Sequence, residues 1–195
     1  MSVPTLMPSD TELSVHVEQK QDLAGGLAAA VFNNAARTHR YLLTRIWDPA
    51  VKPAVYVMLN PSTADALEDD PTIRRCTSFA RRQGAGGLIV VNLFALRSKD
   101  PRALLAHPDP VGRHNDRFIR QAVAMGDPVI CAWGAAPIAG ERGREVAVQL
   151  AGRGVALRCL GTTALGQPRH PLYLPGNAVL EAYDAPTLSK ENQSS

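Results

Sequence analysis

Apolar residues gather along this chain in short continuous runs, separated by stretches with one apolar and one polar face. The runs are RYLLTRIW at 40–47, AVYVMLN at 54–60, residues 88–94 with VVNLF at their end, PVICAWG at 128–134 and VALRCLG at 155–161. None alternates cleanly between apolar and polar, so each predicts a strand covered on both faces. Between them, DPTIRRCTSFARRQG at 70–84, GRHNDRFIRQAVAMG at 112–126 and ERGREVAVQLAGRG at 141–154 predict helices. In the first of these, Asp70 suits the cap, Pro71 the first helical position and Gly84 the stop. Ile73, Cys76, Thr77 and Ala80 then recur at helical spacing.

This alternation predicts an α/β domain: a three-layer α/β/α sandwich with a central, mainly parallel sheet. The domain is expected over 26–184, with RHPLYLPGNAVL closing the core. Residues 1–25, polar and broken at Gly25-Gly26, predict a flexible extension, and 185–195 a flexible tail.

Composition narrows the classes. The chain has 195 residues, 45% hydrophobic and 20% charged, which suits one globular domain. A net charge of +3 is too small to argue nucleic-acid binding by itself. The cysteines, Cys76, Cys131 and Cys159, form no CxxC pair and no disulfide framework, so a cytoplasmic protein is expected. No apolar run approaches the ~20 residues that span a bilayer, so no membrane partner is expected. The N-terminus lacks the basic-then-apolar order of a signal peptide. No His, Cys or carboxylate pair has ligand spacing, so neither metal nor cofactor is implied.

In parallel sheets, sites lie at the carboxyl ends of strands. The polar residues of interest fall there: Asn60 followed by Pro61, Ser62, Thr63 and Asp65; Asn92; Trp133 before Gly134; and His170 in GQPRHP. Asn60 can position a water, and the turn after it can present backbone N–H groups to an anion. Asn92 interrupts an apolar run with a donor and an acceptor side by side, a match for the edge of a nucleobase. His170 can donate to charge developing on a leaving group. Arg74 and Arg75 stand in the first turn of a helix, where cations oppose the helix dipole, and so are available to phosphate. Each has a plainer alternative: an Asn-Pro turn, an Asn bonded to loop backbone, a His that organises its own turn, a solvated basic face.

Four stretches in order resemble the uracil-DNA glycosylase superfamily. MLNPSTA resembles its Gly-x-Asn-Pro-Gly turn, VVNLFALR the strand whose Asn reads the flipped base, VICAWGAAP the strand ending in Trp-Gly, and HPLYL the His-Pro-Ser motif with its intercalating leucine. Met58 and Ser62 stand where the first motif has glycines, and Leu172 where the last has serine. From about Arg40 to Tyr183 the chain also resembles a bacterial and phage family of unknown function, DUF1643, through RYLLTRIWD, MLNPSTAD, DPTIRRC, NLFALR and HPLYL. The superfamily resemblance implies that Asn60 and His170 are catalytic. Asn60 would orient the water or stabilise a sugar cation, and His170 would bond the departing base. Asn92 would contact the base edge, and Leu174 would lie near the wedge that fills the duplex gap. Ser62, Thr63, Asp65, Arg75 and Trp133 complete the expected substrate site.

The expected function is recognition of a nucleobase in nucleic acid or a nucleotide, with N-glycosidic hydrolysis as the chemistry. A non-catalytic nucleic-acid or nucleotide-binding module is the alternative. A small-molecule hydrolase or transferase on the same strand edge is a third reading.

Overall fold

The computed structural model describes residues 14–62, 67–100 and 102–184. In chain order its elements are β1 (His16–Gln21), β2 (Leu27–Phe32), β3 (Arg40–Ile46), β4 (Ala54–Met58), α1 (Pro71–Arg82), β5 (Gly87–Asn92) and α2 (Arg102–Ala106). There follow α3 (Asn115–Met125), β6 (Val129–Cys131), α4 (Ala139–Ala151), β7 (Leu157–Cys159), a single 3-10 turn at Pro171–Tyr173 and β8 (Glu181–Ala182).

The strands make one sheet of eight in the order β1-β2-β3-β5-β4-β6-β7-β8. Only β5, β4, β6 and β7 run parallel to one another. β1 to β3 form an antiparallel meander joined antiparallel to β5, and β8 closes the far edge antiparallel to β7. The sheet is therefore mixed, which corrects the mainly parallel expectation. The physical reason is visible in β3, every residue of which is buried. A strand covered on both faces reads as a continuous apolar run whichever way it points, so the pattern reported burial and not direction. The fold class itself, α/β, stands.

His16–Gln21, placed by the sequence reading in a flexible extension, pairs along its whole length with β2. It is a mostly exposed, polar edge strand, with Gln19, Lys20 and Gln21 open to solvent, of the kind that discourages further pairing. Residues 1–13 and 185–195 lie outside the described residues.

Side chains alternate across the parallel strands and split the core in two. Val55, Val57, Ile89, Val91, Val129 and Cys131 face α3 and α4, where Phe118, Ile119, Val146 and Leu150 meet them. Ala54, Tyr56, Met58, Leu88, Val90 and Ile130 face α1, through Ile73, Cys76 and Phe79. Helix α1 begins as its sequence predicts. Asp70 accepts from the Ile73 N–H at 2.8 Å, and Pro71 fills the first helical position.

Candidate functional site

The loops after β4, β5, β6 and β7 place their polar residues at one end of the sheet. The end of β6 is shaped by Gly134. It takes φ +80°, in the left-handed region that favours glycine, and its N–H donates to the Pro168 carbonyl at 3.0 Å. This turn joins the β6 loop to the segment that carries His170. Between them opens a cleft of about 470 Å³. Leu59, Trp133, Ala136 and Leu174 form apolar walls, and Thr163, Arg169 and His170 supply polar groups. Its size lies in the range of small-molecule sites, roughly 300–1,000 Å³.

Trp133 is buried and held on every side. Its Nε1–H donates to Gln167 Oε1 at 2.9 Å, and Tyr183 meets the indole edge-on at 5.7 Å. Helix α4 passes directly over the ring. A Cβ on Gly143 would lie 2.8 Å from the indole Cε2, which explains a glycine inside a 13-residue helix. Gly143→Ala therefore destabilises the fold by about 1–3 kcal/mol through overpacking. Helix propensity alone predicts a gain of about 1 kcal/mol. Urea unfolding of the variant decides between the two signs.

His170 begins the 3-10 turn. Its Nδ1 accepts the Leu172 N–H at 3.3 Å, so the neutral ring carries its proton on Nε2. Burial pushes the imidazole below its ordinary value, and the nearby Asp70 carboxylate opposes that only in part. The folded chain thus prefers the neutral ring, which donates through Nε2. The linkage has a definite sign, because the unfolded chain binds this proton more readily. The stabilisation is fully present above the ordinary value of 6.5 and is lost as pH falls through the depressed folded value. Unfolding midpoints measured across that window should fall with pH, and His170→Gln should flatten the dependence.

Asn60 turns its Nδ2 onto the Ser98 carbonyl at 2.9 Å and the Pro61 carbonyl at 3.2 Å. Ser98 N–H returns a bond to Pro61 O at 3.0 Å, so the turn after β4 is locked against the loop after β5. Asn60 Oδ1 accepts no hydrogen bond from the described residues. Ser62 donates to Asp70 Oδ2 at 2.9 Å and so ties the same turn to the α1 cap. Thr63 and Asp65 lie outside the described residues.

Asn92 ends β5 on the α1 side, in alternation with Leu88 and Val90. It is 3% exposed, and its carboxamide makes no hydrogen bond with the described residues. Its carbonyl is occupied: Asn115 Nδ2 donates to it at 2.8 Å and to the Leu93 carbonyl at 3.1 Å. The backbone is fixed, while the side chain has no hydrogen-bond partner among the described residues; its amide is not one of the polar atoms sealed from solvent without a partner.

Of the expected site residues, His170, Trp133 and Leu174 share the cleft. Asn60 directly follows its Leu59 wall. Asn92 ends the next strand of the sheet and does not line this cleft. Leu174 is 7% exposed and packs in the core, so it is not a protruding wedge. The large side chain exposed on that turn is Tyr173, at 82%. Arg75 donates to the Leu174 carbonyl and lies 5.2 Å from the Phe79 ring centroid, which makes it a brace for the His170 turn.

Sequence reasoning missed Asn115, Gln167 and Arg40. The available signal for Arg40 was a cation opening a strand that is buried along its whole length. Among the described residues no cluster of His, Cys, Asp and Glu is arranged to hold a metal ion, and no helix is long and apolar enough to cross a membrane.

Fold and cleft together define an α/β domain with a ligand-sized site at the carboxyl ends of its parallel strands. More particularly, the chain belongs to the family described as Protein of unknown function (DUF1643), whose pattern matches residues 40–172. That span begins with β3 and includes Asn60, Asn92, Trp133 and His170, while β1 and β2 precede it. No curated protein and no solved structure matches the chain.

Proposed function

We propose that this strand-end site recognises a nucleobase and that His170 assists cleavage of its N-glycosidic bond. The observation that carries the reading is Asn92: a carboxamide on a residue only 3% exposed, held on a fixed backbone, with no hydrogen-bond partner among the described residues. A base edge offers the donor and acceptor that such an amide lacks. N-glycosidic cleavage places negative charge on the departing base and positive charge on the sugar. The Nε2–H of a neutral His170 is suited to the first, and the free Oδ1 of Asn60 to the second or to a water. The apolar walls of Trp133 and Leu59 suit the faces of a flat ring, whose edge has to reach past the Leu59 wall to meet Asn92 on the next strand.

In this reading the helices on both faces of the sheet make a three-layer α/β/α relative of the uracil-DNA glycosylase superfamily. The free, buried cysteines Cys76, Cys131 and Cys159 suit a reducing, cytoplasmic setting. A non-catalytic binding module is the second reading. It is favoured by one feature: no carboxylate among the described residues lines the cleft.

Chromatography of free bases released from nucleotides and oligonucleotides carrying common and modified bases tests the proposal. Release of a base supports the catalytic reading. Saturable binding without release supports the module. A chain that binds no base-containing molecule overturns both.

A further inference from the structure

Arg40 opens β3 beside the loop that continues β5. Its backbone N–H donates to the Ala95 carbonyl at 2.8 Å. The residue is only 4% exposed, and its Nε is sealed from solvent without a hydrogen-bond partner. No hydrogen bond or ion pair joins its guanidinium to any described residue. Arginine is rarely buried unless paired, because an uncompensated charge in a protein interior is strongly unfavourable.

The neighbours make the charge more conspicuous. Arg45 and Arg97 lie within electrostatic reach, as does the Asp70 carboxylate. Those groups are already engaged. Arg45 Nε is paired with Asp69 Oδ1 at 2.8 Å, and Arg97 Nε donates to the Ser62 carbonyl at 3.3 Å. Asp70 caps α1 and accepts from Ser62. Among the described residues three guanidiniums thus face two carboxylates, and Arg40, whose guanidinium has no described partner, is the most buried. Burial, with Arg97 adding to it, brings the Arg40 guanidinium down to about 10, so it remains charged at neutral pH. The region adjoins the proposed base site. β3 is the antiparallel neighbour of β5, and its first residue lies toward the end where Asn92 sits.

We infer that Arg40 anchors a phosphoryl group of the ligand whose base Asn92 reads. The ligand is then a nucleotide, either free or as a unit of a strand. The inference rests on the base-recognition reading for the identity of the ligand, though the anion site itself stands on Arg40 alone. A guanidinium offers a planar fork of donors that matches phosphate oxygens in pairs.

The test uses the full chain and Arg40→Met, which keeps length and removes charge. Unfolding midpoints are measured with inorganic phosphate against chloride at equal ionic strength. Affinities are measured for deoxynucleosides, their monophosphates and a short single strand. Wild type should gain stability from phosphate and not from chloride. R40M should unfold no earlier than wild type without phosphate and show no phosphate response. Monophosphates should bind wild type about tenfold or more tighter than nucleosides, and R40M should lose that advantage. A strand that outbinds the monophosphates, with steep salt dependence, identifies a phosphodiester source; the reverse order identifies the free nucleotide. Phosphate that leaves wild type unaffected, or an R40M chain that fails to fold, overturns the inference.

The two readings fail separately. Nucleosides that bind through Asn92 with no gain from phosphate would remove the anion site and leave base recognition standing. A phosphate response through Arg40 in a chain indifferent to the base would do the opposite.

Discussion

Asn92→Leu is expected to fold at least as stably as wild type and to lose base binding. Leucine has nearly the shape of asparagine, and the wild-type carboxamide makes no hydrogen bond with its described surroundings. Its replacement therefore breaks none of these contacts. The unfolding free energy should stay level, within about 1 kcal/mol. Binding should fall. A base edge stripped of its partner forfeits about 1–3 kcal/mol, a loss of roughly 10- to 100-fold in affinity. Binding that falls while stability holds separates a ligand-reading amide from a structural one, since a structural Asn would lose stability on the same substitution. Paired urea unfolding and calorimetric titration supply both numbers.

His170→Ala is expected to act on rate. The imidazole sits at the cleft wall as a neutral donor with its tautomer set by the Leu172 N–H. Its bond to the base strengthens only as negative charge develops on the leaving group, so its removal should slow base release by about 10²–10³-fold. Affinity for the intact nucleotide should change much less, because the ground-state base carries little of that charge. Single-turnover base release alongside equilibrium binding checks this. Equal losses in both would make His170 a binding residue, in keeping with the non-catalytic module.

The sequence disclosed the parallel centre of this fold well and its antiparallel flank poorly. β4, β5 and β6 are bounded by strong local signals, Pro61 after one and Gly134 after another, and the α1 cap at Asp70 is readable from residue type alone. β2 is different. Its sequence, LAAAVF, owes its place to pairing with β1 and β3 and not to intrinsic β-propensity, since alanine is depleted in strands. β1, HVEQKQ, is an edge strand whose polarity is the property that hides it.

The site divides along similar lines. Asn92 and His170 are conspicuous because each breaks a local pattern: an amide within an apolar run, a His between Arg169 and Pro171. Arg75 looked like a phosphate ligand because its position in α1 is visible in sequence while its partner, the Leu174 carbonyl, is not. Arg40 was hidden for the converse reason. Its interest lies in lacking a partner, and only packing of β3 against β5 and α1 reveals that. Gly143, costly inside a helix by propensity, is accounted for only by the Trp133 indole packed against it.

The central claim is that a ligand base completes the Asn92 carboxamide. The most direct measurement is the side-chain amide signal of Asn92 in a nitrogen-15 NMR spectrum, assigned by its loss in Asn92→Leu, during titration with nucleosides and nucleotides. A binding ligand should shift this signal strongly and slow its exchange with water. A ligand that binds saturably while the Asn92 amide signal stays where it was would contradict it.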